Sequence, residues 1–394
     1  MLKNFFRDSS VTNNFRKDIY RYIHASEPVS KVDLLAHFDA TQTTMTRLID
    51  DLENRKLIRR CGYGKSIGGR PPVLYEINRK SGYVFGVEIA RTHVKIVLLD
   101  ASLQMVEERG FPLTPEDSPN ITVSKLILHI HKIMKLHNVS DNLMIGIGIG
   151  SVGPIDRREG VIVNPESFPA KGWKDVPIVK MLNAEFSVPV TINNGANTAA
   201  LAEYQLRKTD ESLFYCISGY GIRGSYVNRG FSINQREGNA SSYGHIIIDA
   251  KGRSCDCGRK GCLAAYTSYN AIFKMIREGE QEAGEVSRHI ANVDRLLEKL
   301  KTGDPLVEKI VLRSANYYGI GLANMINTLH PDVVILHGVL IHQWEKYFQE
   351  VVRSVTENLF GSSNRPEIIK GALKGEAPAI GAAIEIFLSE LKSS

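Results

Sequence analysis

Gly244-His-Ile-Ile-Ile-Asp249, a short turn, and then Cys255-Asp-Cys257-Gly-Arg-Lys-Gly-Cys262 form the stretch on which the reading of this chain turns. Three of its five cysteines fall within eight positions, and His245 stands ten residues before the first of them. One imidazole and three thiolates make a closed set of four ligands, which suits a structural zinc; a catalytic zinc keeps one position open. The stretch therefore predicts one structural Zn2+ per chain, held by His245, Cys255, Cys257 and Cys262. Gly258 and Gly261 let the backbone turn tightly enough for Cys257 and Cys262 to face one ion. The alternative is three free thiols beside a core histidine, but unselected cysteines seldom cluster in this way. Cys61 and Cys216 are left over as ordinary thiols.

Outward from that segment, the bulk numbers describe an ordinary globular protein. The chain has 394 residues, 43% hydrophobic and 23% charged, enough for two or three domains. Its opening, Met1-Leu-Lys-Asn-Phe-Phe-Arg7, lacks the apolar core of a secretory signal, so a disulfide is disfavoured and a cytoplasmic location is expected. The least polar run, Leu143 to Ile155, is too short and glycine-rich to span a bilayer, so no membrane role is expected. Residues 1–80 hold fifteen Lys and Arg against nine Asp and Glu, a surplus of +6. The whole chain is also +6, so every excess positive charge lies in its first fifth. Charge confined to one small segment points to a polyanionic partner for that segment.

That segment has the pattern of a helix-turn-helix. Phe15, Ile19, Tyr22 and Ile23 share one helical face; Ser30 is placed to cap a helix from Lys31 to Phe38; a third helix, Gln42 to Arg55, turns Met45, Leu48, Ile49 and Leu52 inward. The outward side of its first turns carries Gln42, Thr43, Thr44 and Arg47, donors and acceptors suited to base edges and phosphates. Leu57–Arg60 and Val73–Ile77 alternate as two strands around a Gly/Pro-rich tip bearing Lys65 and Arg70, a basic wing able to reach DNA backbone. These six residues are the DNA-binding candidates, and double-stranded operator DNA is the expected partner. A winged helix that binds protein instead is the competing reading, and the confined charge argues against it.

From Tyr83 the pattern becomes strands and helices in alternation: Tyr83–Ile89, His93–Leu99 and Gln104–Arg109, a helix over Ile121–His137, and a glycine-rich strand Met144–Gly150. Together with Gly-His before Cys-x-Cys-Gly-x-x-Gly-Cys and Gly-Gly-Arg-Pro after a helix-turn-helix, this order resembles the ROK family of repressors, open reading frames and sugar kinases. The resemblance implies an N-terminal winged helix-turn-helix domain (1–80) followed by a two-lobed actin-like ATPase body. The lobes are expected over 81–193 with 377–394, and over 194–376. It also implies a sugar-responsive repressor that works as a homodimer or homotetramer.

The family's kinase positions are altered in this chain. The first phosphate loop, Asp-x-Gly-Gly-Thr in kinases, is Glu88-Ile-Ala-Arg-Thr92, and the second, Gly-Thr-Gly-Ile-Gly-Gly, is Gly219-Tyr-Gly-Ile-Arg-Gly224. The general base of Glu-Asn-Asp-Ala-Asn is replaced in Asn193-Asn-Gly-Ala-Asn197 by Gly195. Loss of a positioned base costs roughly 10²–10⁴ in rate, so no catalytic residue is assigned and the body is expected to be non-enzymatic. Glu203 lies further along and is expected to face elsewhere. Sugar-binding positions differ too: Ser242 replaces a glutamate before Gly-His245, Ala264 follows Cys262-Leu in place of an acid, and Glu166 stands where relatives carry an asparagine. Asn194, Gly195, Glu166, Ser242 and His245 remain the effector-binding candidates. The effector is a small sugar or, with Arg91 or Arg223 available for an anion, a sugar phosphate. His337-Gly338 replaces the Gly-Gly that meets the nucleotide's adenosine, and Lys274–Lys301 reads as a solvated helical face. A sugar kinase with an added DNA-binding domain is the alternative, and a zinc-stabilised interaction protein a third reading.

Overall fold

In the computed structural model the first turns of the basic segment are set by caps the sequence encodes. The structure describes the chain apart from residues 1, 9, 66–70, 166–167, 208–209, 233–239, 283–289, 291, 362–364 and 393–394. It divides into two compact units, Met1–Thr198 with Pro378–Ser394, and Ala199–Ala377. The first unit opens with α1 (Leu2–Arg7), α2 (Val11–Ser26), β1 (Val29–Ser30), α3 (Lys31–His37), α4 (Gln42–Asn54), β2 (Ile58–Tyr63) and β3 (Val73–Ile77). Ser30 Oγ accepts from the Asp33 amide while the Asp33 carboxylate accepts from the Ser30 amide at 2.7 Å, a reciprocal box that starts α3. Thr41 Oγ1 accepts from the Thr44 amide and starts α4, whose Met45, Leu48, Ile49 and Leu52 are all buried. The three strands pair antiparallel in the order β1-β3-β2, the winged arrangement with one short strand more than the sequence shows.

The α2 face differs from expectation. Ile19 and Ile23 are buried and Phe15 and Tyr22 half-buried, but Tyr20, on another side of the helix, is fully buried. The cause is a second packing partner, since Tyr20 stacks edge-on against Phe5 and Phe6 of α1.

Next come β4 (Tyr83–Ile89), β5 (His93–Asp100), β6 (Met105–Pro112), α5 (Pro119–His137), β7 (Met144–Ser151), a small hairpin of β8 (Ile155–Asp156) and β9 (Val161–Ile162), α6 (Ile178–Asn183) and β10 (Val190–Asn194). They build a five-stranded sheet in the order β10-β7-β4-β5-β6, in which β4, β5 and β6 are antiparallel and β4, β7 and β10 parallel. Its core is aliphatic, with Val87, Ile96, Leu126, Ile130, Ile147 and Ile149 in one cluster. From β10 the chain enters α7 (Gly195–Arg207).

The second unit repeats this plan. It comprises β11 (Leu213–Ser218), β12 (Ile222–Asn228), β13 (Phe231–Ser232), α8 (Ala264–Thr267), α9 (Tyr269–Glu282), α10 (Val293–Lys301), α11 (Pro305–Leu329), β14 (Val333–His337), α12 (Val339–Gln343), α13 (Glu345–Asn358) and β15 (Glu367–Lys370). The sheet order is β13-β12-β11-β14-β15, again three antiparallel strands and then two parallel additions. The described residues of 274–301 are not one solvated face: α9 buries Met275, Ile276 and even Glu280, and α10 buries Leu296, Leu297 and Leu300, because each helix is amphipathic and turns one side inward. The chain closes with α14 (Ala377–Lys392), which returns to the first unit.

Among the described residues no helix is long and apolar enough to cross a membrane.

Candidate metal centre and nucleic-acid interface

The metal segment is shaped by backbone before any ion is considered. Gly258 and Gly261 adopt φ of +85° and +69°, and a Cβ on Gly261 would lie 1.6 Å from the Asp249 carbonyl oxygen. Only glycine fits there. The Gly258 amide donates to Cys255 O at 2.9 Å and the Cys255 amide to Arg259 O at 2.8 Å, so the strand folds back on itself between the cysteines. Leu263 N donates to Ile246 O at 2.9 Å and seats Cys262 beside the His245 side of the loop.

The result brings His245, Cys255, Cys257 and Cys262 together, with one ligand atom from each and all four within 4.8 Å of one another. Cys255 Sγ lies 3.6 Å from His245 Nδ1, and Cys257 Sγ lies 3.6 Å from Cys262 Sγ. A tetrahedral zinc with ordinary bond lengths sets such S···N and S···S edges at about 3.6 and about 3.8 Å. The four ligands thus fit a metal ion. The Arg259 backbone amide and guanidinium pull Cys257 down to about 6, whereas burial pushes Cys262 up to about 12. Three crowded thiols cannot all ionise without a cation between them, which is the need a divalent metal meets. Of the two remaining cysteines, Cys61 is exposed, and Cys216 is buried, its thiol pushed up to about 12 by desolvation.

At the basic end, Gln42, Thr43, Thr44 and Arg47 all lie exposed on the first half of α4. Thr44 Oγ1 accepts from Thr41 Oγ1 at 2.9 Å, so that hydroxyl is partly committed to the cap. Gln42, Thr43, Thr46 and Arg47 line a shallow concavity with Asp50, Asp51 and Asn54. Its two acids are answered from behind: Asp51 by Arg16 at 2.6 Å and Arg55 at 3.1 Å, Asp50 by Lys31 at 3.8 Å. On the wing, Arg59 pairs with Glu76 and Arg60 with Glu53. Arg47 and Lys65 are exposed and make no ion pair among the described residues. Arg70, the other wing candidate, lies outside the described residues.

The effector candidates divide between the two units. Asn194 and Gly195 belong to the first unit, Ser242 and His245 to the second, and Glu166 lies outside the described residues. Asn194 is buried and its Oδ1 accepts from the Ala196 amide at 3.0 Å, capping α7. Gly195 is half-buried, and a Cβ there would touch nothing closer than 3.7 Å, so the backbone does not demand glycine. Ser242 is exposed on a short turn, Ala240–His245.

Two residues around these positions gain roles that the sequence hid. Glu203 is almost wholly buried, and its Oε1 accepts from the Leu373 amide at 2.9 Å; burial raises its pKa. It braces the 371–373 turn. His337 sets its Nε2 3.1 Å from Leu373 O, and burial lowers its pKa to about 4, so an uncharged imidazole occupies the last position of β14. No periodicity or local motif signals either one, because each partner is distant in sequence.

The family model described as "ROK family" matches residues 84–387. The chain is similar to the xylose repressor of Bacillus spizizenii, 26% identical over 383 residues that cover 96% of each protein. Among solved structures it resembles a ROK family transcriptional regulator described as a homolog of the E. coli MLC protein, with a TM-score of 0.79 and 19% identity over 95% of this chain and 96% of that one. It also resembles the ROK hexokinase of Thermus thermophilus, with a TM-score of 0.67 and 28% identity over 78% of this chain and 98% of the hexokinase.

Proposed function

The chain belongs to the ROK family, and on that premise we propose that it is a DNA-binding transcriptional repressor of carbohydrate-utilisation genes. Its kinase-like body has given up phosphoryl transfer for sensing. The observation that carries this reading is the exposed Gln42-Thr43-Thr44-Arg47 edge of α4, whose arginine makes no ion pair among the described residues while the neighbouring Asp50 and Asp51 are paired with other cations. A groove-facing helix needs that arrangement: free donors outward, and no net negative charge against phosphate. The breadth of the likeness supports it, since the xylose repressor is matched over 96% of this chain whereas the hexokinase covers 78%.

On this reading residues 1–80 form the head, and two copies set their α4 helices in successive major grooves about 34–36 Å apart on a palindromic site. Lys65 and Arg70 of the wing add backbone contacts. A sugar, with xylose the first to test, binds against the start of α7, where Gly195 leaves room for a hydroxyl-bearing ring. Its differential affinity for two conformations of the protein shifts DNA binding. A structural zinc on His245, Cys255, Cys257 and Cys262 holds the 245–262 loop and takes no part in chemistry.

A ROK sugar kinase that also binds DNA is the second reading, favoured by the hexokinase likeness. Against it stand Gly195 in place of a base, Arg91 and Arg223 in the two phosphate loops, and the His337 imidazole where nucleotide-binding relatives carry glycine. A gel shift with the gene's own upstream region tests the proposal. A discrete complex released by a sugar supports it; weak retention that ignores sequence overturns it.

A further inference from the structure

The Asn193 amide is engaged at both ends by protein partners. Its Nδ2 donates to both carboxylate oxygens of Glu385 on α14, at 2.8 and 3.0 Å, and Arg157 Nη2 donates to the same carboxylate at 2.8 Å. The other end of the amide is equally engaged, since Asn193 Oδ1 accepts from the Asn194 amide at 2.7 Å and from Asn197 Nδ2 at 3.0 Å. One side chain thus clamps the first turn of α7 to a helix 192 residues away in sequence. An acid at 193 would face Glu385 with like charge, which explains an amide at this position.

The helix gripped there has no slack against its neighbours. A Cβ on Gly86 would lie 1.9 Å from Ala379 O, one on Gly148 1.9 Å from Ala382 O, and one on Gly381 1.6 Å from Thr198 O. Backbone meets backbone on β4, on β7 and at the first turn of α7. No rotatable side chain lies at these contacts to absorb a shift, and close-packed elements move as units rather than deform.

Further along the same helix is the head's anchor. The Phe387 ring meets Phe6 of α1 at 5.5 Å and His24 of α2 at 5.3 Å, and Arg21 Nη2 donates to Leu391 O at 2.8 Å. Phe387 is fully buried. The segment that opens α7 and the segment that carries the DNA-reading helices are therefore both fastened to α14, two residues apart at Glu385 and Phe387.

We infer that α14 is the rod through which a ligand at the start of α7 repositions the DNA-binding head, with Glu385 the positioning residue that couples α14 to Asn193 and Phe387 the one that couples it to the head. The inference rests on the repressor reading for its output, although the mechanical coupling it describes does not.

The test is a double-mutant cycle in the full-length protein, read by fluorescence anisotropy with a duplex from the gene's upstream region. Asn193→Asp is expected to weaken DNA binding by about fivefold or more with zinc content unchanged, although residue 193 is remote from α4 in sequence. Adding Glu385→Gln restores the hydrogen bonds with donor and acceptor exchanged and is expected to return affinity to within about twofold of wild type. In a Phe387→Ala background the Asn193→Asp effect is expected to fall below about twofold, because the rod no longer holds the head. Effects of Asn193→Asp and Phe387→Ala that simply multiply would overturn the coupling. Should Asn193→Asp not fold, Asn193→Ala removes the donor without adding charge and takes its place in the cycle. Amide hydrogen exchange in residues 2–26 of the same proteins separates the two layers of the argument. Wild-type protein that ignores DNA refutes the repressor reading alone; exchange there that is unmoved by the position-193 variant refutes the rod.

Discussion

Replacing Gly195 by aspartate supplies the carboxylate that the kinase resemblance expects at this position, and the account predicts a more stable protein without sugar-kinase turnover. Gly195 is the first residue of α7, its φ lies outside the left-handed region, and an added Cβ would come no closer than 3.7 Å to Pro378 and to Ser151 O. Loss of glycine from a helix is worth about 0.5–1 kcal/mol. A carboxylate at a helix N-terminus adds about 0.3–1 kcal/mol through the backbone dipoles. The sum, about 1–2 kcal/mol, corresponds to a rise of roughly 2–8 °C in the melting temperature of a unit this size. The catalytic arm goes the other way. A positioned base is worth roughly 10²–10⁴ in rate only where the rest of the site operates. On the proposed reading Arg91 and Arg223 still occupy the segments that correspond to the kinases' phosphate loops, and the His337 imidazole still lies against Leu373 O, 3.1 Å away. Thermal melts and a coupled ADP-release assay over a panel of aldoses and amino sugars read both arms. A lower melting temperature would refute the packing argument; ATP-dependent sugar turnover above the wild-type background would refute the claim that the phosphate loops no longer work.

Elemental analysis of gently purified protein is expected to find one zinc per chain, and Cys255→Ser to lose it together with on the order of several kcal/mol of stability in the second unit; a full-strength fold without metal would contradict the structural role. Arg47→Ala and Lys65→Ala are each expected to lower the salt slope of DNA binding by about one, with Arg47→Ala also relaxing sequence preference if it reads a base; unchanged slopes in equilibrium titrations would remove both residues from the interface. The Lys125 ammonium beside Asp117, together with donation from Thr114 N and Thr114 Oγ1 at 2.9 Å each, holds the Asp117 carboxyl below the usual carboxylate range. A depressed folded pKa means stability that is present above the unfolded value near 4 and is lost as pH falls toward the folded one. Asp117→Asn should therefore cost on the order of 1 kcal/mol at pH 7, discounted for the half-exposed Lys125, and the gap to wild type should narrow in denaturant titrations as pH falls below the unfolded value near 4; a constant gap would contradict the assignment.

What could be read from the sequence was local. The His245–Cys262 cluster, the inward set Met45-Leu48-Ile49-Leu52 and the Ser30 cap all follow from spacing within a few turns of chain, and the structure places each as expected. Strand ends were misplaced by a few residues, as where β6 runs Met105–Pro112 rather than Gln104–Arg109, because pairing with β5 and not propensity fixes its end. The repeated sheet plan of the two units left no trace in residue pattern, since aliphatic strands of equal length are interchangeable in packing. Tyr20, Glu203, His337 and the Asn193–Glu385 clamp were invisible for one shared reason. Each takes its meaning from a partner on another element, from Phe6 beside Tyr20 to Glu385 beside Asn193. The solvated reading of 274–301 failed because charge count outweighed phase: α10 has Asp294, Arg295 and Glu298 outward and three leucines inward.

The most direct measurement of the account is an anisotropy titration of the full-length protein against a duplex from its own upstream region and against a scrambled duplex of equal length, repeated across salt concentrations. The account predicts nanomolar binding to the first, weaker by about 10³-fold or more to the second, and a steep loss of affinity with salt. Equal, weak binding to both duplexes would contradict it.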